Sequence, residues 1–168
     1  MVSTFGWIEA NATAGDTGTP TNLNLGSTNA IDLAPSTYPI AAGSYSYSKW
    51  VQGYWSGTFT RVSNIKFWMS DSGTGYVSGE HLLCSASTGS YAGTATYATP
   101  TNGLDGQADH AMSAAEPAVQ NVGVAGSLSG SLTTSGYSDF IVVQASIESS
   151  ASAGAVQQKT FTLQWDEI

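Results

Sequence analysis

Two histidines, one cysteine and twelve carboxylates are the groups from which this chain could build a reactive centre. A thiol nucleophile needs an imidazole within hydrogen-bond reach. His81 and Cys84 are three residues apart, a spacing that sends them to opposite faces of a strand. Cys84 is therefore expected to be a small buried hydrophobe. His110 closes the run from Asp105 to His110, which also holds Asp109. Two carboxylates and an imidazole in one loop could hold a divalent cation. No third carboxylate stands at the spacing of a calcium-binding loop, and a turn explains Gly106, so no metal is expected. Asp166 and Glu167 are adjacent, and neighbours on a strand diverge, which predicts a solvated strand end. Neither a Gly-x-Ser-x-Gly elbow nor a phosphate-cradling glycine loop leading into a helix is present. The expectation is a protein that is not an enzyme, with no catalytic, cofactor-binding or metal residues and no cofactor.

Tyr45, Tyr47, Trp50, Tyr54, Trp55 and Phe59 form the densest aromatic cluster. Exposed rings on a β-sandwich could stack on sugars or anchor a subunit interface. At least half of these rings are expected in the core.

Charge narrows the partners. Four basic residues (Lys49, Arg61, Lys66 and Lys159) face twelve acidic ones, and the formal net charge is −8. Nucleic acid and anionic membrane surfaces are disfavoured as partners. No apolar run approaches the roughly 20 residues that span a bilayer. Gly, Ala, Ser and Thr make up about half of the chain, and charged residues only 10%. A surface poor in Lys and Glu costs little to desolvate and to order, which suits a protein whose faces meet other subunits. One cysteine excludes an intrachain disulfide. The start Met1-Val-Ser-Thr-Phe-Gly-Trp-Ile8 lacks the charged and apolar regions of a signal peptide, so synthesis in a cytoplasm is expected. Asn11-Ala12-Thr13 matches a glycosylation sequon without a secretory context.

The elements that must position these residues read as strands. Phe161, Leu163 and Trp165 alternate with polar neighbours, giving a half-buried strand. Ile141, Val143, Ala145 and Ile147 form one face of another, which starts apolar on both sides and becomes solvated towards its end. The two are expected to pair as a terminal hairpin with a long connection. In Thr58–Met69 the apolar register shifts from Val62 to Ile65, Phe67 and Met69, which predicts a bulge near Asn64. Tyr76–Ser85 is expected to return as its partner strand. Phe5–Glu9, Asn22–Leu25, Ala30–Leu33, Tyr45–Gln52, Tyr91–Tyr97 and Val119–Val124 complete the set. Thr101–Pro117 breaks the pattern, with one helical turn expected at Ala108–Glu116. Frequent turn residues between about 8–10 short antiparallel strands predict one all-β domain over residues 1–168, a β-sandwich of jelly-roll or immunoglobulin-like type. Phe5, Trp7 and Ile8 near a chain end motivate a contact segment at residues 1–10.

Ser63-Asn-Ile-Lys-Phe-Trp68 after Gly57-Thr-Phe-Thr60, Tyr137–Gln144 followed by Ala151–Gly154, and the closing Phe161–Glu167 occur in an order that resembles small virion structural proteins of tailed bacteriophages, including capsid decoration proteins. The resemblance covers the chain from about residue 45 onward. It implies a decoration (cement) protein that binds the major capsid protein lattice or other virion proteins on the outer head surface, as a homo-oligomer with a trimer favoured. It carries over no catalytic residue. The other reading is a carbohydrate-binding, host-recognition β-sandwich module associated with a tail or fibre.

Overall fold

A computed structural model describes residues 2–11, 17–69, 76–86, 88–92, 108–152 and 158–168. Its nine strands are β1 (Ser3–Ala10), β2 (Thr17–Gly18), β3 (Lys49–Gly57), β4 (Val62–Met69), β5 (Glu80–Ala86), β6 (His110–Ala111), β7 (Gly136–Tyr137), β8 (Ile141–Ile147) and β9 (Phe161–Glu167). All strand pairings are antiparallel, and no helix occurs among the described residues. One sheet runs β2-β1-β3-β8-β5-β6, with β7 also on β3; the second is β4-β9. The core between them joins Val51, Trp55, Leu82, Ile141 and Val143 of the large sheet to Val62, Ile65, Phe67 and Met69 of the small one. The chain is an all-β sandwich.

Alternation builds these layers. In β3, Lys49, Val51 and Trp55 point inward, while Trp50 is buried on the opposite face with Val142 and Ala108 against Phe140 and Leu83. Gly53 makes room for a close approach: a Cβ there would meet the Trp55 ring at 2.5 Å and Leu163 at 2.9 Å. In β4 the expected bulge is present. Asn64 has φ 54°, in the left-handed region that Asn tolerates, and the β4–β9 register shifts between Ser63 and Lys66. The shift turns Ile65, Phe67 and Met69 inward, in line with Val62.

Pairing differs from expectation in two places. β8 and β9 do not form a hairpin: β8 pairs with β3 and β5, whereas β9 pairs with β4 in the other sheet. β5 does not return to β4; it lies between β8 and β6. Both strands have apolar residues to bury, and period two fixes the face of a strand but not its neighbour.

Three expected strands are loops. Asn22–Leu25 and Ala30–Leu33 lie in the segment 19–48, which is organised by side chains. Asp32, at φ 53°, accepts the Thr21 and Asn22 amides (2.6 and 3.1 Å), and Asn24 donates to the Leu33 carbonyl (2.9 Å). Leu23, Leu25 and Ile40 still pack against the core from this loop. Val119–Val124 also forms no strand and binds the free edge of β4, partly through a side chain. Residues 93–97 of the expected Tyr91–Tyr97 strand lie outside the described residues. The helical turn at Ala108–Glu116 is absent: His110–Ala111 is extended as β6, because Leu83 and Cys84 of β5 offer ladder partners.

Candidate functional site

The residues read as potential chemistry do not converge. His81 is exposed on β5, with Nε2 at 2.9 Å from Glu148 Oε1. Cys84 faces the core on the other side of the strand, as the spacing requires, and burial pushes its thiol pKa well above the usual range. Asp166 and Glu167 diverge: Asp166 accepts from Asn64 Nδ2 (3.0 Å), and Glu167 from Ser3.

A polar chain does form at β6. Ser85 Oγ donates to Asp109 Oδ1 at 2.5 Å, and His110 Nδ1 stands 2.5 Å from the same oxygen. The order is hydroxyl, carboxylate, imidazole. Nucleophile activation places the imidazole in the middle. Here Ser85 is buried, and its hydroxyl, with a further contribution from His110, holds the Asp109 carboxyl below the usual carboxylate range. A carboxylate so held is a poor base, and the arrangement is a strand-pairing latch between β5 and β6. Asp105 lies outside the described residues. Among those described, no group of three His, Cys, Asp or Glu side chains could hold a metal.

Of the six clustered aromatics, Trp50, Trp55 and Phe59 are buried, and Tyr45, Tyr47 and Tyr54 are half-buried. Tyr54 lies on the outer face of the large sheet against Tyr137, with ring centroids 4.6 Å apart. Tyr137 is 49% exposed, and a Cβ on Gly6, across the ladder from Tyr54, would meet nothing within 4 Å.

One lateral side of the sandwich is open. β9 pairs only with β4, and its outer edge makes no backbone–backbone hydrogen bond among the described residues. β1 borders the same side, and β2 covers it only at Glu9 and Ala10. The two edges are held in line by Phe5 stacked on Trp165 (4.7 Å) and by Ser3 bonded to Glu167. Phe5 and Trp7, which motivated a contact segment at residues 1–10, thus pack against the core, and it is the backbone edge of β1 that stays accessible. An open depression of about 370 Å³ lined by Trp68 and Thr162–Trp165 adjoins the β9 edge.

Two buried ion pairs escaped the reading of the sequence. Lys49 Nζ lies 2.6 Å from Glu9 Oε1, with the two side chains 1% and 0% exposed. Lys49 also donates to the Ala30 carbonyl, and Asn11 Nδ2 donates to Glu9 Oε1 at 2.5 Å. Lys159 Nζ stands 3.4 Å from both Glu80 oxygens and 5.0 Å from the Tyr76 ring centroid. The signal for the first pair was present. Glu9 shares the inward parity of Phe5 and Trp7, and Lys49 that of Val51 and Trp55.

Compared with known protein families, curated proteins and solved structures, the chain shows no match.

Proposed function

We propose that this protein is a structural assembly subunit that works by adhesion through strand edges, with the outer surface of a virion head as its setting and capsid decoration as its role. The observation that carries the reading is the open side formed by β1 and β9. Exposed edge strands are liabilities that monomeric proteins blunt with Lys, Pro, bulges or covering segments. Ser3–Ile8 and Phe161–Trp165 contain no charged residue and no proline, and the bulge of the small sheet lies on β4. Such an edge offers backbone donors and acceptors to another chain. A low-charge surface rich in small side chains makes many weak contacts inexpensive to desolvate, and multivalency converts them into firm attachment. Closed symmetry of copies covers the edges that a lone subunit leaves open.

Sedimentation of the purified chain tests assembly, with a trimer expected. Replacing Thr162 and Gln164 by Lys puts like charges where copies would pair, and is expected to shift the protein towards monomer. Electron cryomicroscopy of particles released from cells carrying the gene tests the setting: sandwich-shaped density on the outer head is expected. A chain that stays monomeric at every concentration and is missing from particles overturns the proposal.

The half-exposed Tyr54–Tyr137 pair supports a second reading, a host-recognition module that stacks sugar rings. A glycan array discriminates, with loss of any signal in Tyr137→Ala as its signature.

A further inference from the structure

We propose that Lys49 and Asn11 are joined by an intramolecular amide bond, formed spontaneously with Glu9 as the proton carrier. Three observations meet at this point. First, Glu9 Oε1 is shared by the two nitrogens involved, Lys49 Nζ at 2.6 Å and Asn11 Nδ2 at 2.5 Å. Second, the ladder pairs Glu9 with Val51. Carried on by two residues, that register sets Asn11 across from Lys49, where cross-strand Cβ atoms stand about 4.5–5.5 Å apart. Third, all three side chains are buried: Glu9 and Asn11 are 0% and 6% exposed, Lys49 1%. Glu9 Oε2 has no hydrogen-bond partner among the described residues.

The chemistry follows from this placement. Passing one proton from Nζ to Glu9 leaves an uncharged amine and an uncharged acid, which a dry interior favours over separate ions. The amine attacks Cγ of Asn11. As the adduct collapses, the bond from Cγ to Nδ2 breaks. Glu9 relays the second proton from the attacking nitrogen to the leaving one, so ammonia departs. The first proton leaves with it as ammonium, and Glu9 returns to carboxylate. One C–N bond forms and one breaks, with no oxidant or reductant required. Aminolysis of an amide is slow in water, but fixing the reactants in contact supplies effective molarities of about 10⁵–10⁸ M.

The other buried pair shows what is special here. Among the described residues no carboxamide shares Glu80 with Lys159; its remaining partner is the Val77 amide. That pair has an amine and a carboxylate but no electrophile. The bond from Lys49 to Asn11 would fasten β1, whose outer edge is open, to the centre of the large sheet.

Mass spectrometry of the purified full chain, unfolded before injection, tests the proposal directly. The expected mass is one ammonia below that of the sequence, after allowing for removal of the initiator methionine. Trypsin is expected to spare Lys49, releasing residues up to Arg61 as one bridged peptide. Full sequence mass overturns the proposal. So does an ammonia loss with Lys49 still cleaved, which would mark a cyclic imide at Asn11 instead. Asn11→Asp is expected to lose water in place of ammonia, and Glu9→Gln to keep the full mass. A bridged Glu9→Gln chain overturns the role of Glu9, whereas the wild-type mass decides the bond itself even if a variant fails to fold.

Discussion

Glu167 receives both the amide and the hydroxyl of Ser3, at 2.7 and 2.5 Å, so the last strand of one sheet holds the first strand of the other. These bonds keep the Glu167 carboxyl below the usual glutamate range, the Ser3 hydroxyl contributing most. A carboxyl with a depressed folded pKa stabilises the fold above its unfolded value and loses that effect as pH falls through the folded value. Hydrogen exchange of the Ser3 amide is therefore expected to be slow at neutral pH and to speed up as Glu167 is protonated, at a pH below the ordinary glutamate range. Glu167→Gln should weaken this protection already at neutral pH. Equal protection in the variant would show that the clamp is not what orders β1.

Asn121 acts as a strand partner made from a side chain. Its Oδ1 accepts the Phe67 amide (2.8 Å), and its Nδ2 donates to the Phe67 carbonyl (2.9 Å) on the edge of β4 away from β9. Asn121→Ala leaves two buried backbone groups without partners and is expected to destabilise by about 3 kcal/mol. Asn121→Asp keeps the acceptor but sets a charge against the Phe67 carbonyl, and should be at least as damaging. Gly89 packs on the backbone of the same residue: at φ 92°, a Cβ there would stand 2.1 Å from the Asn121 oxygen, so Gly89→Ala should cost as much. Urea unfolding of the three variants checks the order, and a loss below the measurement error in Asn121→Ala would remove this role.

Cys84 is expected to be inert. It is fully buried on the core face of β5, and thiol reactivity requires thiolate and access. A thiol reagent should modify the unfolded chain promptly and the native chain only at its rate of opening. Cys84→Ser buries a hydroxyl in an apolar setting and is expected to cost roughly 1–3 kcal/mol. Rapid labelling of the native protein would contradict the packing of β5.

What could be read from the sequence was the face of each strand, because period two needs only local residues. The Asn64 bulge, the inward Ile65-Phe67-Met69 set and the divergence of His81 from Cys84 were all available that way. Partner choice was not, since β8 and β9 look like a hairpin in sequence and lie in different sheets. Loops stabilised by side chains were misread as strands for a related reason. Asp32 and Asn121 satisfy backbone groups as a ladder would, and the apolar residues beside them are buried either way. The open β1–β9 side and the Glu9–Asn11–Lys49 cluster depend on contacts between residues far apart in the chain, and only the parity of Glu9 and Lys49 hinted at the second.

Glu80 and Lys159 provide the last test, because their burial makes the two charges depend on each other. Both side chains are nearly inaccessible, 4% and 6% exposed, and lie beside the Tyr76 ring. Bringing two ions into the interior forfeits hydration, which their attraction only roughly offsets. Removing one partner leaves the other charge inside without its counter-charge. Glu80→Leu and Lys159→Met are therefore each expected to destabilise by about 3–5 kcal/mol. The double variant replaces both charges with apolar volume and should lose less than either single change. A double-mutant cycle from denaturant midpoints measures this. Additive losses would mean that the two side chains stabilise the fold independently, through packing on Tyr76 and not through each other's charge.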